Sequence, residues 1–191
     1  MSDAAALPTA SAGAAPASPA ARRAHRAALA RRLVVCAPEA CAALDWDALD
    51  RAPDWLALTD AEREALQCRI GALLYGRAVR LWIDGPRLAA ARTVLGDTFL
   101  EALLTQPDEQ SIPTALADVP TIVTAAQVAP TWQTVGASVL LASLAPGPLR
   151  QAAKAVLGPV APSAMAHECA VSLVARAVAQ DGRAAPSRGA A

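Results

Sequence analysis

The chain has 191 residues, of which 54% are apolar and only 3% aromatic, and its 17 basic residues balance its 17 acidic ones. This balance gives no sign of a polyelectrolyte partner for the whole molecule, and the longest apolar run, residues 134–145, is too short to span a bilayer. Because alanine and leucine dominate the apolar residues, the composition predicts an all-α fold, a single compact domain of several helices.

The two ends of the chain differ in composition from the middle. Residues 1–21 are mostly alanine, serine, proline and glycine, which we expect to form a disordered leader, and residues 181–191 are expected to form a disordered tail. The leader lacks a cationic region followed by an apolar block, so it does not match a signal peptide. The helical domain is therefore predicted to cover residues 22–180.

A basic segment, residues 22–32, and an acidic segment follow one another after the leader. The acidic segment holds eight acids between residues 39 and 64, against two arginines. The two segments either pair within the molecule or face different, oppositely charged partners, and the sequence leaves both interpretations open. Because no aromatic residue interleaves with the arginines and the neighbouring acids would repel a polyanion, we expect no nucleic-acid partner. The candidate interaction residues are Arg22, Arg23, Arg26, Arg31, Arg32, Asp45, Asp47 and Asp50.

Two tryptophans, Trp46 and Trp55, fall in the acidic segment, in short helical or turn pieces around Pro53. Because an indole buries a large apolar area, each is expected to anchor its piece of chain in the core. This interpretation is favoured over a platform for a ligand.

The stretch 59–107 carries the clearest helix signals. A capping-box pattern begins at Thr59, and Asp84 stands at the N-cap position of a second helix. Gly96 is placed to end that helix in a left-handed conformation, and Asp97 is expected to cap a third helix. The apolar residues recur at helical spacing: Leu66, Ile70, Leu73 and Leu74, then Leu88, Ala91, Val94 and Leu95, then Phe99, Leu100, Leu103 and Leu104.

Proline and glycine divide the second half of the chain into shorter helices. Residues 119–127 have some strand propensity but no strand partner, so we predict a helical or irregular segment there. Pro130 opens a helix whose inward residues include Gly136 and Ser143, two small residues that would let another helix approach closely. A helix follows over 149–157, and a last helix starts at 162–163. That last helix is expected to turn four residues inward: Met165, Cys169, Leu173 and Val174.

Residues suited to catalysis or metal binding are few. The chain has two histidines, and although His167, Glu168 and Cys169 are adjacent, neighbouring helical residues point about 100° apart and cannot close on one ion. There is no phosphate-binding glycine-rich loop and no nucleophile-elbow pattern. We therefore predict no catalytic residue, no metal and no cofactor, with the four cysteines as reduced thiols.

Two parts of the sequence resemble the K subunit family of type III secretion systems, the accessory protein of the cytoplasmic sorting platform. The first part is Pro53-Asp54-Trp55-Leu56, followed by Leu73-Leu74 and by Ile83-Asp84-Gly85 with Leu88, Arg92 and Leu95-Gly96. The second part is Trp132, Gly136 and Leu140-Leu141, leading into Leu149-Arg150. The likeness covers residues 50–175.

The resemblance implies a non-enzymatic α-helical adaptor, cytoplasmic and peripheral to the inner membrane. Members of that family bridge the cytoplasmic domain of the inner-membrane ring protein, the D subunit, to the pod-forming Q subunit, the scaffold that carries the export ATPase complex. The resemblance transfers no catalytic residue and assigns no contact to an individual position. The alternative is a helical binding or regulatory module, chaperone-like or attached to an anionic membrane surface through residues 22–32.

Overall fold

The computed structural model describes residues 19–41, 44, 46–107, 120–161 and 164–184. Within these ranges the chain is helical or irregular and forms no strand, which confirms the predicted all-α class. The leader up to residue 18, Asp45 and residues 185–191 lie outside the described residues, so the predictions made for them stay predictions.

Helical structure extends beyond both predicted domain boundaries, 22 and 180. The first helix begins at Pro19 and the last ends at Ala184. The first helix can begin at a proline because proline is tolerated in a first helical turn. The last helix can continue past residue 180 because no proline interrupts the sequence between His167 and Pro186.

The N-terminal part consists of short helical pieces: α1 (Pro19–Cys36), α2 (Pro38–Cys41), α3 (Trp46–Asp50) and a 3₁₀ turn at Asp54–Ala57. Leu29 and Leu33, one turn apart on α1, are fully buried and attach this helix to the core. Trp55 is also buried, which confirms it as a core anchor. The side chain of Trp46 is outside the described part.

The middle of the chain forms the helices predicted there, with one further short helix between them: α4 (Asp60–Leu74), α5 (Gly76–Arg80), α6 (Gly85–Leu95) and α7 (Asp97–Thr105). The capping box of α4 is present, because Thr59 Oγ1 accepts from the Glu62 N–H at 3.3 Å and Glu62 Oε2 accepts from the Thr59 N–H at 2.9 Å. Asp84 caps α6 by accepting from the Arg87 N–H at 2.7 Å.

The predicted cap of α7 is wrong. Gly96 ends α6 with φ of 78° and at the same time serves as the N-cap of α7, so Asp97 is already the first residue inside the helix. The Asp97 carboxylate instead pairs with Arg92 on α6, at 2.6 Å from its Nε. One glycine both ends a helix and starts the next because only it adopts the positive φ required here.

The second half of the chain forms three helices: the largely buried α8 (Val128–Ala142), α9 (Pro148–Leu157) and α10 (His167–Ala184). Residues 120–124 before α8 form no regular element and lead into a 3₁₀ turn at Ala125–Gln127, which confirms the irregular segment expected over that part of residues 119–127.

The predicted inward face of α10 is correct except at one position. Met165, Leu173 and Val174 are buried, but Cys169 is exposed and Ala170 takes the inward place. The helix begins at His167, later than the expected start at residues 162–163, so Met165 belongs to the preceding loop and does not set the helical register.

The centre of the protein is the contact between α4 and α8, which run antiparallel. A Cβ atom added at Gly71 would lie 2.5 Å from the Trp132 carbonyl oxygen, and one added at Gly136 would lie 2.0 Å from the Gln67 carbonyl oxygen. The two backbones therefore touch directly at two places where glycine leaves the room. This confirms the close approach predicted at Gly136 and adds Gly71 as its counterpart.

The other helices surround this pair. Both α6 and α10 pack on α4 and α8, whereas α1 packs on α9 and on the short N-terminal helices. The buried residues form one hydrophobic cluster that includes side chains from nearly every element. The described residues thus share one core, which positions the outward-facing surfaces relative to one another.

Candidate interaction surfaces

The basic segment pairs in part with the acidic segment that follows it. The Arg26 Nε lies 2.8 Å from the Asp50 carboxylate, although its N–H makes no aligned hydrogen bond. Arg32 donates both to the Asp60 carboxylate and to the Leu58 carbonyl oxygen. These contacts tie α1 to α3 and to the start of α4, so intramolecular pairing accounts for these two arginines.

Other candidate residues of these segments point to solvent. Arg23 and Arg31 are exposed, and the Arg31 Nε donates only to the Ala27 carbonyl of its own helix at 3.1 Å. Asp47 is exposed on α3. The Arg22 side chain and Asp45 fall outside what the structure describes. The structure therefore divides the arginines of α1 into a paired set facing the protein and an outward set.

A buried arginine of α4, which the sequence did not single out, joins the pairing at Asp60. Arg63 is 6% exposed and donates to the Asp60 carboxylate, which also accepts from Arg32. The hydrogen bond from Arg63 and the charges of both arginines hold the pKa of Asp60 below its ordinary value. One carboxylate thus joins the end of α1 to the first turn of α4.

A second surface is apolar and projects from the connection between α5 and α6. Ile83 is 97% exposed, Leu81 is 74% exposed, and Val123 of the segment before α8 is 69% exposed. We call Leu81, Ile83 and Val123 the apolar patch. Leu81 and Ile83 belong to one connection between helices, and clusters of exposed aliphatic side chains mark interaction sites more often than single ones do.

The patch stands on a rigid base. Between Leu81 and Ile83, the Trp82 ring stacks on the buried Trp132 ring, with centroids 6.1 Å apart and planes within 4° of parallel. The Arg87 guanidinium also packs against the Trp82 ring and lies 5.0 Å from the ring centroid. Trp82 turns inward and its two neighbours turn outward, so the core fixes their position.

The segment that carries Val123 is fixed by hydrogen bonds. Arg87 donates to the Ile122 carbonyl at 2.9 Å, and the Tyr75 hydroxyl donates to the Pro120 carbonyl at 2.6 Å. Burial raises the pKa of Tyr75 to about 12, so this hydroxyl keeps its hydrogen at physiological pH. The backbone N–H of Val123 also donates to the Gln127 side chain at 2.9 Å.

A third surface is a groove of about 760 Å³ where α3, the first 3₁₀ turn, the α8–α9 connection and α10 meet. Its apolar lining includes Trp55, Leu144, Leu149 and Val171, and the 45% exposed Val171 stands at its opening. Among the described residues, the lining contains Arg51 and His167 but no aspartate or glutamate. The described lining of the groove is therefore mostly apolar, with one arginine as its charged residue, although the chain as a whole has zero net charge.

The histidine in this groove has a defined orientation. The His167 Nδ1 lies 3.1 Å from the Ala142 carbonyl oxygen, and because that oxygen can only accept, Nδ1 carries the hydrogen. The Nε2 atom is then the acceptor of the neutral ring and becomes a donor when the ring is protonated. His167 is therefore held by α8 rather than by its neighbours Glu168 and Cys169.

The described residues hold no group of three or more histidine, cysteine, aspartate or glutamate side chains arranged to bind a metal ion. Cys36 and Cys169 are exposed thiols, and burial raises the pKa of the Cys68 thiol to about 11. At that pKa Cys68 is protonated at neutral pH and a poor nucleophile. Among the described helices, none combines the length and the apolarity that crossing a bilayer requires.

Sequence reasoning missed the apolar patch and the groove. Leu81 and Ile83 look like core residues in the sequence, and only the alternation of Leu81, Trp82 and Ile83 before a helix N-cap hinted that one would face inward and two outward. The groove gathers residues from distant parts of the chain, so no local pattern marks it.

Comparison of the chain with protein-family models, with curated protein sequences and with solved structures found no match.

Proposed function

We propose that the protein is a non-enzymatic helical adaptor that binds other proteins through its outer surface. The observation that carries the proposal is the apolar patch, where Ile83 is 97% exposed on a base fixed by Trp82 and Arg87. Burying each of its three aliphatic side chains against a partner would contribute about 1–3 kcal/mol. Since the patch is already rigid, little of that gain is lost to ordering on binding.

More specifically, we propose a cytoplasmic adaptor at the inner membrane in a type III secretion apparatus. It would bridge the inner-membrane ring protein (the D subunit) and the pod scaffold subunit (the Q subunit). The specific assignment rests on the sequence resemblance. Some of the residues that carry it are buried, among them Trp55, Leu73, Trp132 and Gly136. Ile83 is exposed, as are Asp54, Gly85, Arg92 and Gly96.

The proposal is tested by co-purification of the tagged protein with the D-subunit cytoplasmic domain and the Q subunit, expressed together. We expect both partners to be retained, and deletion of the gene to abolish secretion. Replacement of Ile83 with aspartate should weaken retention of one partner by at least tenfold, because an unpaired carboxylate would be buried at the contact.

The matched control is Thr93→Asp, which places the same charge on the exposed side of α6, where the Thr93 hydroxyl bonds only to its own helix. It should leave both interactions unchanged. Failure of the unaltered protein to retain either subunit would refute the secretion assignment. Equal retention by Ile83→Asp and the unaltered protein would instead remove the apolar patch as the contact.

A second candidate is an anionic membrane surface, favoured by the outward set on α1. Arg23 and Arg31 lie on one side of that helix together with the 55% exposed Val34, and α1 contains no acidic residue. Each arginine near an anionic surface contributes about 1 kcal/mol. Two arginines would together strengthen binding to an anionic membrane about thirtyfold, which is enough for an auxiliary contact but not for a stable anchor.

Flotation with phosphatidylcholine vesicles containing phosphatidylglycerol tests this candidate. The unaltered protein should bind in low salt, and the double variant Arg23→Gln/Arg31→Gln should lose that binding. The double variant Arg51→Gln/Arg77→Gln removes the same charge from exposed positions outside α1 and should keep it. If both variants float equally, α1 is not the lipid contact.

A further inference from the structure

We propose that the groove between α3, the α8–α9 connection and α10 binds an amphipathic α-helix of a partner protein, with an acidic residue of that helix beside Arg51. The inference deepens the proposed function and rests on it in one respect, the expectation of a second protein partner for the adaptor. It places that partner on a surface separate from the apolar patch.

The apolar part of the groove continues along α10. Val171 and Val178 are exposed, at 45% and 52%, and Val174 and Ala175 lie between them on the same side of the helix. These positions follow the i, i+3, i+4, i+7 spacing of one helical face, so the stripe is about 10 Å long. An amphipathic helix could lay its own apolar face along this stripe and into the groove.

The charges at the rim of the groove favour a negatively charged residue on the partner. Arg51 is exposed at this rim, and none of the described residues that line the groove is acidic. The N-terminal ends of α9 and α10, helices of 10 and 18 residues, also border the groove and add partial positive charge. An acidic side chain on the partner helix would therefore be attracted to this rim.

The groove walls favour a helix over an extended peptide. They are formed by helices and a 3₁₀ turn, and no strand edge is present among the described residues to pair with an extended chain. A small apolar molecule that filled the groove near Trp55 would leave Val178 uncovered, two helical turns beyond Val171. A helix covers the groove and the stripe together.

The probe is a synthetic 16-residue peptide, acetylated and amidated, with four leucines at i, i+3, i+4 and i+7 flanked at both ends by glutamates. A second peptide has lysine in place of each glutamate. Binding is measured by fluorescence anisotropy and by the NMR signal of the Trp55 indole, assigned through Trp55→Phe. We expect the glutamate peptide to bind at least tenfold more tightly than the lysine peptide, and the Trp55 signal to shift.

Two substitutions separate the apolar and the charged contributions. Val171→Asp should weaken binding of both peptides at least tenfold, because it places a carboxylate in the apolar contact. Arg51→Glu should weaken the glutamate peptide at least fivefold and strengthen the lysine peptide. The control Val123→Asp makes the same change at a 69% exposed valine of the apolar patch and should leave both affinities unchanged.

Three results would overturn the groove proposal: equal binding of the two peptides, equal loss in Val171→Asp and Val123→Asp, or a glutamate peptide that shifts other indole signals but not that of Trp55. A groove covered by a second copy of the chain would also overturn it and would show as a dimer that Val171→Asp dissociates. These measurements use no secretion protein, so their failure is distinguishable from failure of the adaptor proposal, which the co-purification decides.

Discussion

Gly136 and Gly71 show how much a single hydrogen atom in place of a methyl group can determine. At both positions a Cβ atom would overlap backbone atoms of the facing helix, and backbone cannot move aside as a flexible side chain can. The two helices would have to separate along their whole contact, which would open the centre of the core.

Replacement of Gly136 with alanine should therefore reduce the free energy of unfolding by on the order of 3 kcal/mol or more. Urea denaturation followed by circular dichroism measures this. The control is Gly85→Ala, since a Cβ added at Gly85 would meet no other part of the fold within 4 Å, and Gly85 lies in the first turn of α6. That variant should be stabilised by about 0.5 kcal/mol, and a loss as large as that of Gly136→Ala would show that the close approach is not the cause.

Asp60 is the other residue on which several contacts converge. Because its pKa is lowered in the folded protein by Arg63 and Arg32, its contribution to stability is present above the unfolded value of 3.8 and is lost as the pH falls through the lower folded value. The stability difference between the unaltered protein and Asp60→Asn should thus shrink as the pH is lowered from 5 towards 2.

Urea melts at a series of pH values test this expectation. Asp47→Asn is the control, since Asp47 is exposed on α3, and its profile should follow that of the unaltered protein. A difference between Asp60→Asn and the unaltered protein that stays constant over this range would mean that the ion pairs to Asp60 do not form in solution.

At the scale of helices, start and stop residues explain most of what the sequence predicted correctly. Thr59 and Asp84 cap their helices as expected because the signal is local: the side chain bonds to a backbone N–H two or three residues on. Asp97 failed because two helices share Gly96 without an intervening residue. The local pattern does not reveal how closely one helix follows another.

This difference between the two aspartates is testable. Asp84→Ala removes both the cap of α6 and the carboxylate that orients Arg87, and should cost about 1–2 kcal/mol. Asp97→Ala removes only an exposed ion pair and should cost less than about 0.5 kcal/mol. Thermal and urea denaturation of the two variants give the comparison, and equal costs would contradict the assignment of Gly96 as the cap of α7.

At the scale of the whole molecule, the sequence predicted the fold class and most of the core but not the surfaces. Periodic apolar residues such as Leu73 and Leu95 identify a buried face because the pattern is repeated on each helix. Exposure depends on which faces remain uncovered after packing. Leu81 and Ile83 are therefore indistinguishable from core residues until neighbouring elements are placed, and the groove residues meet only in the fold.

A pair of substitutions separates core from surface leucines. Leu73→Asp should unfold the protein, since an unpaired charge at a position only 6% exposed costs several kcal/mol. Leu81→Asp, at a position 74% exposed, should change the free energy of unfolding by less than about 0.5 kcal/mol. Circular dichroism melts distinguish the two, and a cooperative transition at the usual temperature in Leu73→Asp would show that α4 faces the wrong way.

The stack of Trp82 on Trp132 affects the distance between partners bound at the apolar patch and in the groove. Trp132 supports the apolar patch near the beginning of α8, and Ser143 and Leu144 at the other end of the same helix line the groove. About 11 residues of uninterrupted helix separate them, a length of about 16 Å. Two partners bound at these ends would be held at a fixed separation, which could change only if the helix between them broke.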